Sequence, residues 1–104
     1  MSPVLPFLAA ALLGVPAPPT AACGVHVCLE ITRAGSFVRD ATAYTRDGRP
    51  GTLRVSWGDW HSSLVHASRF TWNVNDARPF HDICAALDRG GRKVEDHICV
   101  RVIP

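Results

Sequence analysis

Between Val25 and Ile103 the apolar residues recur mostly at every second position, and no helical period of useful length interrupts them. Val25, Val27, Leu29 and Ile31 alternate with His26, Cys28, Glu30 and Thr32. Leu53, Val55 and Trp57 alternate with Thr52, Arg54 and Ser56, and Phe70, Trp72 and Val74 alternate with Arg69, Thr71 and Asn73. Ile98, Val100 and Val102 face one way, Cys99 and Arg101 the other. Successive side chains of a strand point to opposite faces, so each run reads as a half-buried strand. Less regular segments at 37–44, 64–66 and 80–87 bring the number to about seven. Turn formers stand between them: Ala34-Gly35-Ser36, Asp47-Gly48, Pro50-Gly51 and Asp88-Arg89-Gly90-Gly91. Strands at roughly 8–12-residue spacing predict an all-β, antiparallel sandwich of immunoglobulin-like shape.

The likeness to an immunoglobulin domain is one of shape. Trp57 can stand for the core tryptophan of a third strand, and Cys84 for the later cysteine. No cysteine stands about a dozen residues before Trp57, and Asp82 occupies the place of the tyrosine-corner residue two before Cys84.

The charges divide the chain. Its 104 residues hold 11 Lys+Arg and 9 Asp+Glu, yet the first charged residue is Glu30. The apolar run at residues 4–15 is too short for a membrane helix, which needs about 20 residues. It fits the apolar core of a secretory leader, about 7–15 residues long. Pro16, Pro18 and Pro19 break any helix after it, and Thr20-Ala21-Ala22 supplies small residues for a leader peptidase. The Met-Ser-Pro start lacks the Lys or Arg common in leaders. The expected organisation is a signal peptide at 1–22 and a secreted domain at 23–104.

Four cysteines agree with export, because small secreted domains have marginal cores and use disulfides. Cys23, Cys28, Cys84 and Cys99 do not form paired CxxC knuckles, which argues against zinc. Cys28, Cys84 and Cys99 take the parity opposite to the apolar residues beside them. Bridges that staple neighbouring strands on one face are therefore expected, with Cys84–Cys99 across the last hairpin and Cys23–Cys28 at the start. Cys28–Cys99 is the alternative. A lipid anchor on Cys23 would want Leu where Thr20 stands and would leave an odd number of cysteines, so the bridged form is preferred.

The pieces VHVCLEI, FTWNV, and ICAAL with HICVRVI resemble small secreted actinobacterial proteins of unknown function. The resemblance lies in strands and cysteines. It implies export and a β-sandwich, and transfers no active site.

Net charge of +2, with scattered basic residues, gives no reason to expect a nucleic-acid partner. The densest polar and aromatic stretch is 58–63, where Asp59, Trp60 and His61 are the candidate binding residues. An exposed Trp60 would suit a protein or carbohydrate surface; a buried one would close the end of the sandwich. Asp59, His61, Ser62 and Ser63 are the residue types of a hydrolytic triad, but five adjacent positions rarely supply its geometry, and no GxSxG elbow is present. His61, His66, His81 and His97, with Asp59, Asp82 or Asp96, show no HxH or HExxH spacing, so neither metal nor cofactor is expected. Arg46, Arg49, Arg89, Arg92 and Lys93 gather near turns, as solvated charge or as a basic end for acidic polymers. The expected function is a secreted, non-catalytic binding module. The alternatives are a self-associating surface protein and, more remotely, an enzyme or metal-binding protein using the histidine-rich loops.

Overall fold

The computed structural model describes residues 20–102. The apolar run and the prolines on which the leader rests lie outside the described residues. Nine strands are described: β1 (Ala21–Cys23), β2 (Val27–Ala34), β3 (Phe37–Thr45), β4 (Gly51–Trp57), β5 (Trp60–His61), β6 (Val65–Ala67), β7 (Arg69–Ala77), β8 (Asp82–Arg89) and β9 (Arg92–Arg101). They form two antiparallel sheets. The first has the order β1-β2-β3-β7; the second has the order β5-β4-β8-β9, with β6 also on β4. Two strands go beyond the seven read from periodicity, β1 and β5, and both are too short to show a period.

The alternation is physically realised. Val27, Leu29 and Ile31 of β2, Leu53, Val55 and Trp57 of β4, and Ile83, Ala85 and Leu87 of β8 are buried between the sheets. Val38, Ala41, Ala43, Trp72, Val100 and Val102 complete that core. Val25 departs from the pattern. It lies in the β1–β2 turn and is 74% exposed, because the pairing of Cys23 with Cys28 makes 24–27 the hairpin connection.

Both disulfides join directly opposed residues of adjacent strands, Cys23–Cys28 across β1–β2 and Cys84–Cys99 across β8–β9. Their Cα separations of 4.1 and 4.0 Å suit the close pairs of an antiparallel ladder. The bridges staple strands within a sheet, on the parity that the sequence assigns to them. The cut expected after Ala22 falls inside β1, where Ala22 faces Leu29 and the Ile31 N–H donates to the Thr20 carbonyl at 2.8 Å. Cleavage there would leave the edge of β2 held by the Cys23–Cys28 bridge.

The turns explain the ends. Gly90 and Gly91 connect β8 to β9 with φ of 58° and 74°, the pair of positive values that a type I′ hairpin requires. Both long edge strands carry bulges. In β7 the register slips opposite Arg39 and Asn75 adopts φ 48°; in β9 it slips beside Ala86 and His97 adopts φ 58°. Bulges increase local twist and blunt an edge against pairing with another chain.

The β2–β3, β4–β5 and β7–β8 connections gather at one end of the sandwich. The β1–β2, β3–β4 and β8–β9 connections gather at the other.

Candidate functional site

Gly58 and Asp59 form the two-residue turn between Trp57 and Trp60. Gly58 has φ 62°, and a Cβ on it would enter the Phe80 ring, so both backbone and packing demand glycine. The Trp57 indole N–H donates to the Phe80 carbonyl at 2.8 Å, which ties this turn to the 78–81 loop.

The three residues singled out in the sequence point different ways. Asp59 stands at the tip, its side chain 79% exposed, and pairs with Arg78 at 2.9 Å. Trp60 faces Trp57 across the hairpin, is half-buried and packs against the core. His61 is exposed and pairs with Ser56 on the outer face of the second sheet. The neighbouring hydroxyls serve the fold. Ser62 Oγ accepts from the Val55 N–H at 2.8 Å and donates to the Ser63 carbonyl, while Ser63 Oγ accepts from the Trp72 indole at 3.2 Å. Ser62 thus covers the stretch of β4 between β5 and β6.

Two aromatic residues at this end escaped the sequence reading. Phe80, over the Gly58 turn, is 39% exposed, and Phe37, opposite Ala77 at the start of β3, is 42% exposed. Arg78 lies between them in the chain and binds both Asp59 and Asp76, the latter at 3.1 Å. The same end of the sandwich thus carries two half-exposed aromatic groups and a charged clamp. No period marked Phe37 or Phe80, because one stands next to a turn and the other in a loop.

The opposite end is fastened by carboxylates. Glu95 of β9 reaches the β1–β2 turn, where its Oε2 accepts from the Val25 N–H and its Oε1 from the His26 and Val27 N–H groups, each at 2.8 Å. Burial pushes the Glu95 carboxyl up, but these three donors outweigh it and hold the group below its ordinary range. A Cβ on Gly24 would come within 2.5 Å of the Glu95 carboxylate and the end of Ile98, so a side chain there would displace the group that holds this turn. Asp47, in the β3–β4 turn, accepts two N–H groups of Arg89 at 2.8 and 3.0 Å and the Arg49 N–H at 3.0 Å. The Arg89 guanidinium first, and the Arg49 amide second, hold Asp47 far below the usual carboxylate range. The arginines that cluster near turns in the sequence therefore do meet in part, with Arg89 also donating to the Arg49 and Pro50 carbonyls.

Glu95 yields a pH prediction. Its folded form takes up a proton less readily than the unfolded chain, so its contribution is present above the unfolded value of about 4.5 and is lost as pH falls through the lower folded value. Glu95→Gln should cost about 1.5 kcal/mol at neutral pH, because one of the oxygens becomes a donor facing a donor. Urea melts of both proteins should converge as pH falls below about 4. A gap that stays constant down to acid would show that the carboxylate charge does not hold the turn.

Among the described residues no group of His, Cys, Asp or Glu is arranged to hold a metal ion, and no helix is long and apolar enough to cross a membrane. Comparison with family models, with curated proteins and with solved structures finds no match.

Proposed function

We propose that this chain is an exported, non-catalytic binding domain that meets its partner with the end carrying Phe37, Asp59, Arg78 and Phe80. The observation that carries this reading is the pair of half-exposed phenylalanines at one end of the sandwich, Phe37 at the start of β3 and Phe80 in the β7–β8 loop. Aromatic anchors beside a charged rim are the usual composition of a binding hot spot. Trp60, opposite Trp57 in the same hairpin, packs against the core. Export is supported by the two bridges and by the charge-free start of the chain.

The strand order supports an immunoglobulin-type Greek key. A β2-β3-β7 sheet faces a β4-β8-β9 sheet that β5 and β6 extend, and Trp57 is buried in the strand equivalent to the third. Domains of that architecture commonly recognise partners with loops at one end. A non-catalytic role is supported by Ser62 and Ser63, whose hydroxyls bind backbone and indole groups, while His61 lies on the other face. Self-association through an open strand edge is opposed by the bulges at Asn75 and His97.

The test uses immobilised disulfide-bonded protein and the extracellular fraction and surface extract of the producing cells. The wild type should retain a partner, and Phe37→Ser with Phe80→Ser should weaken retention more than about tenfold with the fold unchanged by circular dichroism. Equal retention by the folded double variant would refute this surface. Protease and periodate treatment of the extract would separate a protein partner from a carbohydrate one.

A further inference from the structure

The end opposite to that surface carries a cleft of about 460 Å³ lined by Gly24, Val25, His26, Arg46 and Asp47. Its size lies within the range of small-ligand sites, about 300–1,000 Å³. Its walls are two turns, and both are immobilised. The β1–β2 turn is held by the three N–H bonds to Glu95, and the β3–β4 turn by Asp47 and Arg89. The two turns are also joined to each other. The Arg46 N–H donates to the His26 carbonyl at 2.8 Å, and Arg46 Nη1 donates to the Gly24 carbonyl at 2.9 Å.

Charge decides what this cleft can take. Asp47, the acidic residue of the lining, is neutralised by two N–H groups of Arg89. Glu95, behind the β1–β2 turn, stays ionised on three neutral backbone donors, so the two turns and the groups that hold them set the three cations Arg46, Arg49 and Arg89 against the two carboxylates Asp47 and Glu95. Arg46 takes part in no described ion pair; its partner is a neutral carbonyl, which orients the guanidinium and leaves its charge uncompensated. Arg49, in the same turn, makes no side-chain ion pair among the described residues, although its N–H and its charge both act on Asp47. Val25 adds an apolar wall that is 74% exposed, and His26 adds a ring that can donate a hydrogen bond. An oriented guanidinium prefers an oxyanion, which it can hold by paired N–H donors. A polar ring of sugar size would fill the remaining volume against Val25 and His26.

The geometry points to a second binding site here, for an oxyanion carried on a sugar, with Arg46 as the charge-recognising residue. A uronic acid and a sugar phosphate share that chemistry. The site is at the far end of the sandwich from the aromatic surface, so it stands or falls separately from the function proposed above.

The experiment is a titration of the ¹⁵N-labelled, disulfide-bonded protein with glucuronate, with glucose 6-phosphate and with glucose, followed by amide chemical shifts. Saturable shifts confined to Gly24, Val25, His26, Arg46 and Asp47 are expected with at least one of the two anions, and none with glucose. Response to glucuronate alone identifies a carboxylate site, and response to the phosphate alone a phosphate site. Arg46→Gln should weaken binding about tenfold or more while leaving the other amide positions in place. Arg54→Gln, which removes the same charge from the outer face of the second sheet, should bind as the wild type does. No saturable shift with either anion, shifts at all exposed arginines alike, a response to glucose equal to that of the anions, or equal binding by Arg46→Gln would overturn the assignment.

Discussion

Trp57→Ala should cost about 4 kcal/mol of folding stability, within the 3–5 kcal/mol typical of a buried aromatic cut back to alanine. Trp57 is the largest fully buried side chain, standing between the sheets near the end that carries the aromatic surface. Its removal opens a cavity lined by side chains of both sheets, and strands held by backbone ladders cannot collapse far to refill it. It also leaves the Phe80 carbonyl without its indole donor and frees the loop that carries Phe80. A domain of this size has about 4–12 kcal/mol in all, so the loss removes a third or more of it. Urea unfolding followed by far-ultraviolet circular dichroism measures the loss. Trp57→Phe, which keeps an aromatic ring but loses the N–H and part of the volume, sets an upper bound on the share of the hydrogen bond. A loss below about 1 kcal/mol for Trp57→Ala would mean that the end of the sandwich does not depend on this residue.

Replacing Cys84 and Cys99 together by serine should cost about 3 kcal/mol, and Cys23 with Cys28 about 2 kcal/mol. The difference follows from the loops they close, with sequence separations of 15 and 5. A longer loop denies more conformations to the unfolded chain. For a domain of this size the first change should lower Tm by roughly 15 °C. The second has another consequence. The bridge fixes the four-residue turn whose N–H groups bind Glu95, so the β1–β2 hairpin should lose amide protection locally before the rest of the fold does. Calorimetry of both double variants, with hydrogen exchange at residues 24–27, tests the order. Equal losses from the two bridges would contradict the loop-closure account.

The parts of the fold that the sequence revealed are those where one face is buried and the other wet. Leu53, Val55 and Trp57 could be placed inward because a strand sends alternate side chains to opposite faces, and the same rule put Cys84 and Cys99 outward on neighbouring strands. Val25 fits the same period but lies in a turn, since alternation does not register where a strand begins. Arg39, Val94 and the residues beside Asn75 and His97 break the period, and bulges account for each break.

The candidate surfaces were less legible. Asp59, Trp60 and His61 are adjacent in sequence, yet a tight turn and strand parity send them to the tip, the core and the outer face. The groups that do meet are remote along the chain. Phe80 reaches Gly58, Arg89 reaches Asp47, and Glu95 reaches Val25, His26 and Val27.

The sequence by itself thus determined the fold class, the half-buried strands and the outward parity of the cysteines, because each depends on neighbours one or two residues away. Only the tertiary structure decided which turns share an end, that Asp47 is paired with Arg89, that Glu95 holds the β1–β2 turn and that Arg46 makes no ion pair among the described residues. Those outcomes depend on the order of strands in the two sheets, which brings together residues that no local period relates.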